Sequence, residues 1–384
     1  MYTRSLQPPN KAFFLFGPRG TGKSTWTKTI FSDAHRLDLL LTSESLRFQK
    51  SPSLIRAEVM AQPKSRWVVI DEIQKVPALL DEVHALIENE GYSRFVLTGS
   101  SARKLKRGSA NLLAGRAVRR ALFPLTSHET HYSIPIEQSL YFGQLPASIS
   151  CKSDSERQEF LKAYVDTYLQ EEIKAEALVK DIGSFARFIE IATLTAGQTT
   201  NVSGVSRDAG INRETVRGYF EILEDTLVAN WLPAYRPRAK IKEVALPKFY
   251  WFDTGVLHAA HSGFAQPLPA NIRGILLEHW LYQELMAYMH YEKVRGSIGY
   301  WATPSKTEID FLWWYGEQLV AIEVKAADQF RDDFLKGIRA LGQRKKVFKS
   351  YVVYLGKREL KMGDTWVLPI HEFLRKLYQG SVIG

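Results

Sequence analysis

Short apolar runs alternate with amphipathic segments along the first 125 residues. The runs at 12–16, 36–40, 67–70 and 94–98 predict strands, and residues 78–90 carry apolar side chains at helical spacing. Strands that alternate with helices are typical of a parallel sheet covered by helices on both faces. The pattern therefore predicts an α/β domain, which we place over residues 1–180.

The middle of the chain changes to helices followed by short strands. Residues 126–155 are rich in turn formers and predict a connection, and a charged helical stretch follows at 155–180. Three helices and two strands are predicted next, at 182–223, 228–233 and 248–253. This order predicts a winged-helix domain over residues 181–255.

The last third returns to a mixed pattern and predicts an α/β domain over residues 256–384. It begins with a long helix at 274–291, and another helix follows the first three strands. The strands are predicted at 297–302, 308–315, 318–325 and 351–355.

Composition places the chain among soluble globular proteins of two or three domains. It has 384 residues, of which 45% are hydrophobic and 24% charged. The single cysteine, Cys151, excludes an internal disulfide and fits a reducing cytosol. No apolar run approaches the roughly 20 residues that span a bilayer, and the N-terminus has no signal-peptide pattern. We therefore expect a cytoplasmic protein without a membrane partner.

The segment after the first predicted strand reads G-P-R-G-T-G-K-S and matches the phosphate-binding pattern G-x-x-x-x-G-K-S. Glycines let backbone N–H groups turn towards a phosphate, and a helix N-terminus favours its charge. Lys23 would reach the β- and γ-phosphates, and the Ser24 hydroxyl would be a Mg²⁺ ligand. We predict that this loop binds ATP or GTP through Gly17, Pro18, Arg19, Gly20, Thr21, Gly22, Lys23, Ser24 and Thr25.

Acidic and hydroxyl side chains follow two later strands. Asp71 and Glu72 end the run at 67–70, and carboxyl ends of parallel strands face the ligand crevice. We expect Asp71 to hold the Mg²⁺ water shell and Glu72 to polarise the attacking water. Thr98 and Ser100 end the next strand, where they either sense the γ-phosphate or cap the following helix.

A basic stretch without any acidic residue covers 101–120. Within it, Arg116 follows a glycine and is a candidate for an arginine that contacts the γ-phosphate of a neighbouring subunit. A surface that faces nucleic acid, or a solvated basic face, would explain the same charges.

These motifs, in this order, resemble the prokaryotic AAA-type ATPases that are fused to an uncharacterised C-terminal domain. The resemblance rests on the phosphate loop, the Asp71-Glu72 strand end, the Leu-Thr-Gly-Ser-Ser strand end and Leu-Ala-Gly-Arg at 113–116. It implies an AAA-like core, ATP rather than GTP, and assembly of several copies into a homo-oligomer.

Residues 202–220 read as helix, glycine turn and helix, which is the pattern of a DNA-binding helix pair. The second helix offers Asn212, Arg213, Thr215, Arg217 and Tyr219, and a basic run at 236–242 would be the wing. Winged helices also serve as protein-packing modules, so both interpretations stay open. A net charge of +10 favours a polyanionic partner, either DNA or RNA.

Two predicted strands of the last domain carry acidic residues and a lysine. Asp310 lies on one strand, and Glu323 and Lys325 share a face of the next, which a hairpin would bring together. Glu278 on the long helix would complete the group as a metal ligand. Glu308 would be a further carboxylate that supports these ligands without contacting the metal. Cross-strand salt bridges are the alternative explanation, although the strand of Glu323 should be buried.

An Asp followed one hairpin later by Glu-x-Lys resembles the PD-(D/E)XK nuclease core. The resemblance implies a restriction-endonuclease-like fold in which Asp310 and Glu323 bind Mg²⁺ and Lys325 steadies the transition-state charge. The sequence thus predicts an ATPase that acts on nucleic acid and carries a nuclease-like domain. Two alternatives are a nucleotide-dependent switch whose C-terminal domain binds without cutting, and an ATPase that remodels protein.

Overall fold

A parallel sheet of five strands forms the N-terminal unit. The structure is a computed structural model that describes residues 2–100, 113, 115–169, 181–236, 246–262, 264, 269–305 and 307–383. The sheet has the order β2-β3-β4-β1-β5. Its strands are β1 (Phe13–Phe16), β2 (His35–Asp38), β3 (Val68–Asp71), β4 (Phe95–Gly99) and β5 (Val118–Ala121). The predicted parallel sheet is therefore confirmed.

Helices cover this sheet as expected for strands that are buried on both faces. They are α1 (Lys23–Ile30), α2 (Thr42–Lys50), α3 (Leu54–Met60) and α4 (Leu79–Glu88), with a short 3₁₀ turn at Ile73–Lys75. The strand β5 was not predicted, because Arg119 and Arg120 hide its pattern within the basic stretch. Such charges are tolerated on β5 because it is an edge strand.

The segment predicted as a connection forms helices, so that prediction is wrong. These are α5 (Ile136–Phe142) and α6 (Pro146–Ser150), whose Leu140 and Ile149 are buried. Pro135 and Pro146 were read as turn residues, whereas Pro135 precedes the first helical residue of α5 and Pro146 begins α6. Proline is favoured at a helix start because its missing N–H has no helical partner there.

Helices continue through the middle of the chain. The charged stretch forms α7 (Asp154–Ala163) and a π-helical turn at Tyr164–Leu169, while residues 170–180 lie outside the described ones. The three predicted helices are present as α8 (Ile182–Leu194), α9 (Val202–Ala209) and α10 (Arg213–Asp225), and the two strands as β6 (Ala229–Leu232) and β7 (Lys248–Trp251). A winged-helix arrangement of these elements stays a prediction.

A mixed sheet of six strands forms the C-terminal unit, in the order β12-β13-β11-β10-β9-β8. The strands are β8 (Ser297–Ala302), β9 (Glu308–Tyr315), β10 (Gln318–Lys325), β11 (Lys349–Tyr354), β12 (Leu360–Met362) and β13 (Thr365–Pro369). The helices are α11 (Thr254–Ser262), α12 (Ala270–Tyr291), α13 (Lys336–Gly342) and α14 (Ile370–Tyr378), with a 3₁₀ turn at Asp332–Leu335. The strand β10 is central and buried, as predicted.

The long helix α12 packs against both units. Its Leu277 and Trp280 lie in a large apolar core that extends from Leu140 to Ile383. Near its C-terminal end, Tyr291 packs in a second core with Phe13 of β1. The helices of the middle segment and the C-terminal sheet therefore share one core, and α12 connects that core to the N-terminal sheet. Within the described ranges, no helix combines the length and apolar character needed to cross a membrane.

Candidate nucleotide site and C-terminal acidic cluster

The phosphate loop, residues 17–24, runs from the end of β1 into the first turn of α1. Gly20 and Gly22 have φ angles of 82° and 93°, a region that favours glycine. A Cβ atom on Gly17 would lie 2.4 Å from the carbonyl oxygen of Leu122. The glycines of the pattern are thus required by the path of the backbone, which leads into a helix N-terminus suited to a phosphate.

Lys23 lies across the phosphate loop. Its side chain is buried, and Nζ donates to the carbonyl oxygens of Gly17 at 2.7 Å and Pro18 at 3.2 Å. Thr21 braces the same turn, because its hydroxyl donates to Pro18 O at 2.9 Å. Ser24 is half-buried, whereas Thr25 and Arg19 are exposed. The ammonium group is therefore held at the loop, where it can meet phosphate oxygens.

Asp71 and Thr98 end neighbouring strands and are joined by a hydrogen bond. The Thr98 hydroxyl donates to Oδ1 of Asp71 and accepts the backbone N–H of Glu72 at 3.1 Å. Because β4 lies between β1 and β3, Thr98 is placed between the phosphate loop and the acidic pair. The structure thus brings Asp71, Glu72 and Thr98 together.

Gln74 orients the carboxylate of Glu72 and was missed in the sequence. Its Nε2 donates to Oε2 of Glu72 and to the Ser100 hydroxyl at 3.2 Å. Glu72 has a φ angle of 59°, in the left-handed region that non-glycine residues rarely adopt. Gly99 makes room for this network, since a Cβ there would lie 2.7 Å from Oε1 of Gln74. A polar residue two positions after the acidic pair was the available signal.

A cavity of about 410 Å³ opens beside the phosphate loop. Its mainly apolar lining includes Tyr2, Gly22, Thr25, Trp26, Ile30 and Pro146. The volume of the cavity is within the range of small-molecule sites.

Arg4 connects the phosphate loop to the long helix and was also missed. Its guanidinium donates to Thr21 O at 2.7 Å, to Phe123 O at 2.6 Å and to the Tyr291 hydroxyl at 3.2 Å. Nε lies 3.0 Å from Oε1 of Glu129 in a buried ion pair. No sequence motif marks Arg4, because its partners lie far away in the chain.

Arg116 lies at the protein surface and pairs with Glu88 of α4. Most of the basic stretch before it, residues 101–112, lies outside the described residues. The contact of Arg116 with a neighbouring subunit therefore stays a prediction.

The C-terminal acidic cluster consists of Glu278, Glu308, Asp310 and Glu323. Asp310 on β9 accepts the backbone N–H of Val324 at 2.8 Å, so it lies beside the Glu323 and Lys325 pair of β10. Nζ of Lys325 is 2.5 Å from Oε1 of Glu323. Burial, followed by the charge of Glu278, raises the pKa of Asp310, and burial together with Asp310 raises the pKa of Glu323. The structure thus brings Asp310, Glu323 and Lys325 together.

Lys248 of β7 reaches the acidic cluster from the middle segment. Its Nζ lies 3.2 Å from Oε1 of Glu278 and 3.7 Å from Oε2 of Glu308, and the side chain is only 3% exposed. The Tyr250 hydroxyl also donates to Glu278. Burial opposes the charge of Lys248, but Glu278 and Asp310 raise its pKa. The sequence signal was a lysine at the first position of a strand that is otherwise apolar.

The cluster pairs its carboxylates with lysines in this arrangement. Within the described parts of the chain, no three His, Cys, Asp or Glu side chains are placed so that they could hold a metal ion. Glu278 is paired with Lys248, and Glu323 is paired with Lys325. The cluster as arranged does not fit a resident divalent ion, and metal ligation by Glu278, Asp310 and Glu323 remains a prediction. At the phosphate loop, the Ser24 hydroxyl and the Asp71 carboxylate supply the oxygen donors that Mg²⁺ prefers beside phosphates.

The predicted DNA-binding helix pair has the expected turn. Gly210, with a φ angle of 65°, ends α9, and the Asn212 side chain caps α10 by accepting the N–H of Glu214 at 2.8 Å. Arg217 is exposed and lies 3.5 Å from Glu221. Tyr219 is buried and contributes to packing rather than to the surface. Of the predicted basic wing, Arg238, Lys240 and Lys242 lie outside the described residues.

Three family matches divide the chain. Residues 9–131 match the family described as an AAA domain. Residues 135–267 and 273–373 match two domains of unknown function, DUF8612 and DUF4143. The first match contains the phosphate loop and the Asp71–Thr98 contact, whereas the acidic cluster falls in DUF4143 and Lys248 falls in DUF8612.

Similar proteins cover most of the chain at low identity. An uncharacterized protein of Mycobacterium tuberculosis is 22% identical over 357 residues, which are 92% of this chain and 78% of the relative. An uncharacterized protein of Haemophilus influenzae is 25% identical over 240 residues, which are 57% of this chain and 60% of that protein. The crystal structure of protein VC1899 from Vibrio cholerae aligns over 96% of both chains at 11% identity, but its TM-score of 0.23 does not establish a shared fold. Together with the parallel sheet and its phosphate loop, the match to an AAA domain supports an AAA-type ATPase domain at the N-terminus.

Proposed function

We propose that this protein binds and hydrolyses ATP with Mg²⁺ at the crevice between the phosphate loop and the carboxyl ends of β3 and β4. The observation that supports the proposal is the hydrogen bond between Thr98 and Asp71, because Thr98 belongs to β4, which pairs with the strand β1 that leads into the loop. A phosphate loop without such a neighbour would support binding alone.

Each residue of the crevice has a role that follows from its position. Lys23 stabilises negative charge on the β- and γ-phosphates, and the backbone N–H groups of the loop bind the same phosphates. Ser24 and Asp71 would hold Mg²⁺, which neutralises phosphate charge when bound. Glu72, oriented by Gln74, polarises the attacking water, and Ser100 orients Gln74 in turn. Thr98 fixes the distance between the loop and the two acidic residues.

The cavity beside Gly22 and Thr25 is our candidate for the base site. Its apolar lining suits the faces of an adenine ring, and Trp26 and Ile30 come from the same helix that follows the phosphates. This position agrees with the ATP specificity that the family resemblance implies.

Assembly into a homo-oligomer is proposed for the role of Arg116. Arg116 lies at the surface, where a γ-phosphate bound to a second copy could replace Glu88 as the partner of its guanidinium. Turnover would then depend on contact between subunits.

Nucleic acid is the second element of the proposal. The net charge of +10 and the exposed arginines of α10, Arg213 and Arg217, support a DNA- or RNA-binding surface. The proximity of Asp310 to the Glu323 and Lys325 pair supports a likeness to the nuclease core as a proposal. Because Glu323 and Glu278 are each paired with a lysine, we favour a nucleotide-dependent switch that binds without cutting.

ATP turnover by purified variants tests the first part. We expect Glu72→Gln to bind ATP as the wild type does but to lose turnover by at least about a hundredfold. Glu90→Gln, an exposed acidic residue of the same unit, is the matched control and should turn over normally. Unchanged turnover in Glu72→Gln would exclude the proposed role of Glu72.

Binding of labelled double-stranded DNA and of single-stranded RNA tests the second part. We expect affinity to fall steeply between about 50 and about 200 mM salt, and to weaken in Arg213→Ala/Arg217→Ala. Lys50→Ala, an exposed lysine on α2, is the control. Equal affinity in both variants would remove α10 from the nucleic-acid surface.

A further inference from the structure

A buried lysine is inserted into the acidic cluster by a neighbouring hairpin. Lys248 is the first residue of β7, which pairs with β6, and this hairpin joins the C-terminal sheet at its β8 edge. Tyr300 N donates to Pro233 O at 3.0 Å, and Tyr235 N donates to Tyr300 O at 2.7 Å. The backbone of Lys248 is therefore fixed relative to the strands that carry the carboxylates.

The ammonium group of Lys248 lies among three carboxylates. It is 3.2 Å from Glu278 and 3.7 Å from Glu308, and Asp310 acts on it through its charge. On another side, Nζ lies 5.3 Å from the ring centroid of Tyr300, whose face also favours a cation. Since the side chain is 3% exposed, water contributes little to its solvation. The carboxylates and the ring are what make a buried cation tolerable here.

A divalent ion would need the carboxylate oxygens of Glu278 and Glu308, which are already paired with Lys248. Mg²⁺ requires near-octahedral oxygen ligands at about 2.1 Å. An ammonium group within hydrogen-bond distance of Oε1 of Glu278 competes for that oxygen and repels a second cation beside it. Lys325 neutralises Glu323 in the same way on the other side of the cluster.

We infer that Lys248 is a built-in counter-ion that closes the acidic cluster to divalent metal ions. The cluster then fastens the β6–β7 hairpin to α12 and β9 through an internal ion pair. A metal ion enters only when the lysine is removed or withdrawn. This inference does not depend on ATP hydrolysis, and its test uses no nucleotide.

Titration with Mn²⁺, followed by electron paramagnetic resonance of the free ion, tests the inference directly. We expect the wild type and Asp310→Asn to show the same Mn²⁺ binding, because no ion enters the cluster of the wild type. In Lys248→Met, which keeps most of the length of the side chain without its charge, we expect one new Mn²⁺ site per chain, at least about tenfold tighter than any in the wild type. The double variant Lys248→Met/Asp310→Asn should lose the new site, and Lys248→Arg should not gain it.

Two results would overturn the inference. The first is a Mn²⁺ site in the wild type that disappears in Asp310→Asn, because Lys248 would then leave room for the ion. The second is a Lys248→Met variant that is folded by circular dichroism but gains no site. If Lys248→Met does not fold, the comparison of the wild type with Asp310→Asn still tests the inference, because a Mn²⁺ site that requires Asp310 would overturn it.

Discussion

Arg4 and Glu129 form an ion pair at the junction of the phosphate loop and the long helix α12. Nε of Arg4 lies 3.0 Å from Oε1 of Glu129, and the two side chains are 7% and 0% exposed. The same guanidinium holds the carbonyl oxygen of Thr21 in the phosphate loop and the hydroxyl of Tyr291 at the end of α12. One side chain thus links the candidate nucleotide site to the helix that carries Glu278.

Removing Arg4 should destabilise the protein, because it leaves Glu129 as a buried charge without its counter-ion. We expect Arg4→Met to lower the free energy of unfolding by about 3 kcal/mol, measured by urea denaturation. Arg4→Met/Glu129→Gln removes both charges and should recover part of the loss. If the double variant is no more stable than Arg4→Met alone, the loss does not come from the unpaired carboxylate.

The hydroxyl of Thr98 should be required for turnover but not for folding. Thr98→Val keeps the shape of the buried side chain and removes the hydrogen bonds to Asp71 and to the N–H of Glu72. We expect kcat to fall by about a hundredfold through misplacement of the acidic pair, with the melting temperature changed little. Thr98→Ser retains the hydroxyl and should keep most of the activity. Equal kcat values for the valine and serine variants would contradict this role.

Burial of Glu284 on α12 should make stability depend on pH. Burial raises the pKa of Glu284 from its ordinary value of 4.5 to about 8, although Oε1 accepts hydrogen bonds from the N–H and hydroxyl of Ser127. Between these two values the folded protein keeps a proton that the unfolded chain releases. The free energy of unfolding should therefore fall as pH rises through this window, by up to about 1.4 kcal/mol per pH unit.

Glu284→Gln isolates this contribution, since the amide keeps an acceptor for Ser127 and does not titrate. The free energy of unfolding of the wild type minus that of Glu284→Gln should decrease from about pH 5 to about pH 8 and then level off. A difference that does not change with pH would show that Glu284 has an ordinary pKa.

Arg116 should affect turnover through a second subunit. We expect Arg116→Ala to lower turnover by at least about a hundredfold while ATP affinity stays the same, and wild-type turnover per chain to rise with protein concentration. Arg119→Ala, an exposed arginine of β5, is the control. If Arg116→Ala turns over at the wild-type rate at every protein concentration, Arg116 has no role in turnover.

The elements that the sequence predicted well are those with a strong local pattern. The strands β1, β3, β4, β9 and β10 are apolar runs, so burial and strand formation agree along the chain. The phosphate loop is equally local, because its glycines are required by the conformation of one turn. By contrast, β5 carries two arginines, and Pro135 and Pro146 lie at helix starts that resemble turns in sequence.

The residues missed in the candidate sites act over long chain distances. Arg4 meets Glu129 and Tyr291, and Lys248 meets Glu278 and Glu308. The partners of both residues are assembled only by the fold. The sequence around Arg4 therefore gives no sign of its role, and the sequence around Lys248 shows only a lysine at the start of an apolar strand. Gln74 was easier to identify from the sequence, because its partner Glu72 lies only two positions before it.

Equilibrium binding of ATP in the presence of Mg²⁺, measured by isothermal titration calorimetry, tests the central claim most directly. The wild type should bind one ATP per chain, and Lys23→Ala should weaken that binding by at least about tenfold, because the lysine lies at the phosphate loop. Lys28→Ala, an exposed lysine on the same helix, should bind as the wild type does. A wild type that binds no ATP, or a Lys23→Ala variant that binds with unchanged affinity, would contradict the account.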